Sequence, residues 1–212
     1  MAGDGGGHRR REPGQSTTLV ESAMNKPPIP KDLAAEIARV RRQAALSFVF
    51  CAPVLAAALW WLPRQFEFPV EMGDRLAFAA RASLLIMLWV LIGVGTVGRL
   101  RRKSAHDTAG SAYGPPSERL RVPLAFLQNT LEHAVLAAFA ALALATVKGE
   151  APLAFIVGMV VLFAVGRITF WRGYPRGSPG RAFGVVTTAL PIMGAFAWVI
   201  YDMVDGLLRG VI

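Results

Sequence analysis

Gln128, Asn129, Glu132 and His133 place two amides, a carboxylate and an imidazole inside Val122–Val147, a stretch that is otherwise almost wholly apolar. Asn129, Glu132 and His133 stand at i, i+3 and i+4, so a helix carries them on one face. The next apolar stretch closes on Arg167, Trp171, Arg172, Tyr174, Arg176 and Arg181. An ionised side chain at membrane depth costs roughly 2.5–3.5 kcal/mol on insertion scales and marks a partner or a binding site. Two chemistries are open. In one, Glu132 and Arg167 satisfy each other as a structural ion pair, Asn129 is a helix–helix hydrogen bond, His133 a packing histidine, and Arg172, Arg176, Trp171 and Tyr174 are interfacial anchors. In the other, Arg167, Arg181 and Arg121 outnumber Glu132 and keep positive charge for an anion. An acidic ligand with its own ammonium then uses both signs, since guanidinium groups fork carboxylates bidentately.

The elements that must carry these residues are membrane spans. Of the 212 residues 54% are apolar, too many for an ordinary soluble domain with a polar surface. Five runs suffice to cross a hydrocarbon core of about 30 Å, which takes about 20 helical residues: Ala44–Leu62, Leu76–Gly98, Val122–Val147, Ala151–Phe170 and Ala182–Tyr201. They are continuous, which excludes a β-barrel of alternating ten-residue segments. The first is retained as a span, because its leader is too long for a signal peptide and no A-x-A-like site follows Pro53. Cys51, the single cysteine, excludes an intrachain disulfide or a cysteine-based metal site, and His8, His106 and His133 match no zinc spacing. No metal is expected.

The formal net charge of +9 would suggest nucleic acid in a soluble protein, but its distribution points to a bilayer. Eight Lys and Arg precede Ala44, six lie in Arg99–Arg121 and four in Arg167–Arg181, whereas the intervening connections and the tail hold four against six acidic residues. Basic and non-basic loops alternate, which predicts a cytoplasmic N-terminus and a C-terminus outside. Residues 1–31, with glycines, an arginine triplet and Pro27-Pro28-Ile29-Pro30, read as a disordered basic tail. Residues 32–62 read as a short amphipathic helix running into the first span, 76–201 as the four remaining spans, and 202–212 as a short tail. The stretch 101–116 reads as a loop. Gly149 marks a tight hairpin between spans three and four. Counted from it, Glu132 and Arg167 each lie fifteen residues down their helices, about 22 Å below the outer boundary. Ala134, Ala138, Ala141 and Ala145, with Gly93, Gly95 and Gly98 in span two, permit close helix approach. A transporter finds little support, since neither repeats nor paired broken helices are visible.

At Arg119–Tyr201 the chain resembles the family of membrane-associated proteins in eicosanoid and glutathione metabolism, MAPEG. The resemblance rests on Asn129-x-x-Glu132 and on Arg167, Tyr174 and Arg181 spaced by seven. It implies an all-α fold, a four-helix membrane bundle to which this chain adds one N-terminal transmembrane helix, and assembly as a homotrimer. It also implies glutathione as co-substrate in a pocket facing the cytoplasm. Asn129, Glu132, His133, Arg167 and Tyr174 would bind it, with Glu132 at its amino group, and Arg181 would be catalytic by favouring the thiolate. The implied activity is that of a glutathione S-transferase or peroxidase acting on a lipophilic substrate from the bilayer, in a bacterial inner membrane. Two positions depart from the family pattern: Phe170 stands where members place Tyr, and Ala125 where they place a basic residue. The competing expectation is a non-enzymatic binding or assembly protein whose polar groups form an internal ion-pair network.

Overall fold

The computed structural model describes residues 32–210, so the tail expected over 1–31 lies outside the described residues. Among the described residues all regular structure is helical: α1 (Leu33–Gln65), α2 (Met72–Arg101), a single turn α3 (Ala105–Thr108), α4 (Glu118–Thr146), α5 (Ala151–Gly173) and α6 (Gly177–Leu208), with a 3-10 turn at Tyr174–Arg176. The chain divides after Ala35 into two units. In the first, Asp32 Oδ1 accepts the Ala35 N–H at 3.0 Å and caps the start of α1. The rest of the description concerns the second.

Among the described residues four helical stretches are long and apolar enough to cross a membrane, and the last, Ala151–Leu208, doubles back at Gly177 (φ 74°) to supply two passes. At 1.5 Å per residue even the 23 residues of α5 reach about 35 Å, enough for the hydrocarbon core. Phe48, Val49, Trp60, Leu84, Leu91, Ile92 and Phe139 are exposed, an arrangement that water penalises and lipid does not. The chain is an all-α, multi-pass membrane protein.

The core lies where α2, α4, α5 and α6 meet. Ala134, Ala137, Ala141, Leu144 and Ala145 of α4 face Leu153, Ile156, Met159 and Phe163 of α5, with Ile86 from α2 and Ile192 and Ala195 from α6. Small α4 side chains let the backbones approach, as the alanine spacing predicts, although Ala138 itself is only half-buried. Of the three glycines singled out in span two, only Gly93 faces another helix, where an added Cβ would meet the Leu127 side chain; at Gly95 the space is open. The α4–α5 connection is the four-residue turn Val147–Glu150 with Gly149 at φ 88°. Helix α1 packs on α5 and α6: the Ser47 hydroxyl donates to Phe183 O (2.8 Å) and accepts from Thr187 Oγ1 (3.1 Å), and Leu55 and Ala58 lie over Gly158.

Two departures from the sequence reading matter. The residues expected as a short tail after Tyr201 continue α6 to Leu208. Arg75, expected in an outer loop, is buried in α2 and its guanidinium donates to Ala145 O (2.8 Å), Val147 O, Gly149 O (2.9 Å) and Pro69 O (3.3 Å). A helix end leaves four carbonyls without intrahelical partners. Arg75 supplies donors for those at the end of α4 and ties α2 to the α4–α5 turn.

Candidate functional site

Arg167 is the largest fully buried side chain among the described residues, at 0% exposure. Its Nη1 donates to Asn129 Oδ1 (2.8 Å) on α4 and its Nη2 to Thr188 Oγ1 (2.7 Å) on α6, so one guanidinium joins three helices. The cation also lies against the rings of Phe163 and Phe170, 5.4 and 5.1 Å from their centroids. Its Nε has no partner. The local backbone makes room: a Cβ at Gly166 would overlap Thr188 Oγ1, and one at Gly184 would overlap the Phe170 backbone. Two glycines therefore bring α5 and α6 close enough for the threonine to reach the arginine. The Thr188 hydroxyl, accepting from Arg167, donates in turn to Gly184 O (2.9 Å).

The ion pair expected between Glu132 and Arg167 is not formed: among the described residues no carboxylate lies within 4.0 Å of that guanidinium. The cause is helical phase. Asn129 takes the α4 position facing Arg167, and Glu132, three residues on and about 60° round the helix, is exposed, accepting only from Gln128 Nε2 (3.2 Å). His133 is half-buried and donates through Nδ1 to Asn129 O at 2.8 Å, which fixes its tautomer. It thus sits beside the Asn129–Arg167 contact without touching the guanidinium in that bond.

Tyr174 and Arg181 form a second cluster at the α5–α6 turn. The Arg181 guanidinium lies 5.0 Å from the centre of the Tyr174 ring, which packs edge-on to Phe170 at 5.5 Å. Phe170 contacts both arginines' surroundings and so links the clusters, a role a tyrosine there would share while adding a hydroxyl. Arg121, the basic residue one turn before Ala125, lies 4.0 Å from Glu118 at the exposed start of α4. A cavity of about 300 Å³ beside Arg167 is lined by Trp89, Ile92, Thr96, Phe126 and Trp171 and is largely apolar. Among the described residues no three His, Cys, Asp or Glu side chains gather as a metal site.

The sequence reading missed Thr188 and Arg75. Thr188 lies in a run of small residues with no charge to flag it; the available signal was the demand of a buried guanidinium for more than one acceptor.

The family profile of MAPEG matches residues 76–201, the segment that carries α4, α5 and the polar residues from Asn129 to Thr188. A mouse (Mus musculus) protein, transmembrane protein 79, is 24% identical over 160 residues, which are 76% of this chain and 40% of that protein. The chain thus spans about 40% of the length of the curated relative it matches. No solved structure matches. With the profile covering more than half of the sequence, the chain belongs to the MAPEG family.

Proposed function

We propose that the protein binds glutathione at the basic ends of α4–α6 and uses its thiol on a lipophilic electrophile that arrives from the bilayer. The observation that carries this reading is the exposed Glu132 carboxylate, which has no cation within 4.0 Å among the described residues although it sits on a membrane-spanning helix. A charge so placed demands a partner, and the ammonium of a tripeptide supplies one. Asn129 has its amide nitrogen free for the peptide while its oxygen serves Arg167. Tyr174 and Arg181 stand together at the turn. Ala125 and Phe170 withhold one cation and one hydroxyl that the family pattern provides, so tripeptide affinity is reduced relative to members that keep both.

Arg181 is the catalytic residue of this proposal. A free thiol has a pKa near 8.5 and a fixed cation beside it raises the thiolate fraction. The thiol proton passes to water, the thiolate forms a carbon–sulfur bond with the electrophilic carbon, and the displaced group leaves with the bond's electrons. Glu132 is exposed on a single chain, which leaves it open to a ligand held between copies of a homotrimer. The pattern of basic loops supports a cytoplasmic location for this end of the bundle, on the side where glutathione is available.

Arg167 favours a second reading, because its bonds to Asn129 and Thr188 serve helix packing without any ligand. On that reading the protein is a non-enzymatic membrane assembly component. Titration calorimetry of the purified protein with glutathione separates the two. Saturable binding that Glu132→Gln weakens supports the first; no binding heat at millimolar glutathione supports the second.

A further inference from the structure

Helix α1 lies outside the family match, yet it builds a concave basic site with the α5–α6 turn. Two adjoining cavities, of about 510 and 270 Å³, share Gln43, Arg176, Pro179 and Gly180. Arg39 and Arg42 line the outer one and Arg172 the inner one, with Glu36 the single acidic residue among the lining. Among the described residues none of these four arginines lies within 4.0 Å of a carboxylate. Positive-inside anchoring explains basic residues at helix ends, but does not require them to converge from two elements on one concavity.

From this convergence we infer that the groove is a binding site for an anionic lipid headgroup carrying two phosphates. Four guanidiniums in two connected lobes match two phosphate groups, each taken by a pair of forked donors. The choice of a lipid over a soluble phosphate compound rests on what continues the groove. On α1, Arg39, Arg42, Gln43, Leu46 and Phe50 follow at helical spacing along one face, changing from charged to apolar. Leu46 and Phe50 are exposed, and the inner cavity ends on Phe183, whose ring packs 5.9 Å from that of Phe50. A headgroup at the arginines therefore has an apolar track for its acyl chains, which a soluble anion would leave unused. The site uses none of Asn129, Glu132, Tyr174 or Arg181, so it stands apart from the glutathione reading.

Native mass spectrometry of the full chain released from micelles tests this with tetraoleoyl cardiolipin, dioleoyl phosphatidylcholine and inorganic pyrophosphate as probes. Cardiolipin should be retained well above phosphatidylcholine. Arg39→Gln with Arg176→Gln, both exposed positions, should weaken cardiolipin retention about 30-fold, the loss of two arginine–headgroup interactions. Arg99→Gln with Lys103→Gln removes equal charge from exposed positions elsewhere on the basic side and should leave retention within about two-fold, since charge alone acts diffusely. Equal losses in the two double variants, or equal retention of both lipids, would overturn the site. Pyrophosphate binding as tightly as cardiolipin would overturn the lipid as its occupant.

Discussion

Replacing Thr188 by Val removes one of two side-chain acceptors from a fully buried guanidinium while nearly conserving volume. Side-chain hydrogen bonds between membrane helices average about 0.6 kcal/mol. Bonds to a charged group run about 1.5–3 kcal/mol, because the alternative is an ion short of a partner. Arg167 is wholly enclosed and already leaves Nε unpaired, so the charged figure governs and Thr188→Val should destabilise by about 2 kcal/mol. In an Arg167→Met background no charge remains to strand, and the same change should cost less than about 0.5 kcal/mol. The resulting coupling of about 1.5 kcal/mol is measurable as a double-mutant cycle of unfolding in mixed detergent micelles. The companion cycle pairs Glu132→Gln with Arg167→Met and should be additive within about 0.5 kcal/mol, because those side chains do not pair. Coupling above about 1 kcal/mol between Glu132 and Arg167, or none between Arg167 and Thr188, would refute this arrangement of the bundle's polar centre.

Further outcomes follow from the turns. Arg75→Met should lower stability by about 2–3 kcal/mol through loss of charged hydrogen bonds to the end of α4, and Arg75→Lys should recover less than half in the same unfolding assay, since one ammonium cannot reach carbonyls on both sides. Asp107, in the α2–α4 connection, accepts from the Ser117 backbone N–H (2.8 Å) and hydroxyl (2.6 Å), which hold its carboxyl well below the usual carboxylate range. Because the folded pKa is depressed, that stabilisation is present above an unfolded pKa of about 3.9 and is lost as pH falls through the folded value. Hydrogen exchange of residues 104–117 should stay slow from neutral pH down to about pH 4 after correction for intrinsic rates and rise below it, and Asp107→Asn should remove the pH dependence. Cysteines placed at Ser111 and at Lys148, exposed in the α4–α5 turn, in a Cys51→Ala background should label from opposite membrane sides; labelling from one side would remove the five-pass topology.

The spans were legible because bilayer thickness forces long apolar runs, and Gly149 was legible because a four-residue hairpin needs a positive φ. Depth counting put Glu132 and Arg167 at a common level, but the residue that meets Arg167 is Asn129, about one turn earlier on α4. The choice between Asn129 and Glu132 was not legible. It depends on the rotation of α4 against α5, which is set by burial of Ala134, Ala137 and Ala141, and charge complementarity alone favoured the wrong member of the face. Thr188 and Arg75 were hidden for a related reason. Each acts through long-range geometry: Thr188 through the approach of Gly166 to Gly184, and Arg75 through the carbonyls at the end of a helix it does not belong to. Arg181 and Tyr174, seven residues apart, adjoin because the turn between α5 and α6 is short.

The thiol of bound glutathione gives the most direct test. Its ionisation can be followed by thiolate absorbance on the purified protein in detergent across a pH titration, for the parent and for Arg181→Ala at saturating glutathione. A catalytic Arg181 predicts an apparent thiol pKa in the parent well below the free value of about 8.5, and a return toward that value in Arg181→Ala, because a fixed cation favours the anion over the neutral thiol. An unshifted thiol in the parent, or the same shifted pKa with and without Arg181, would contradict it.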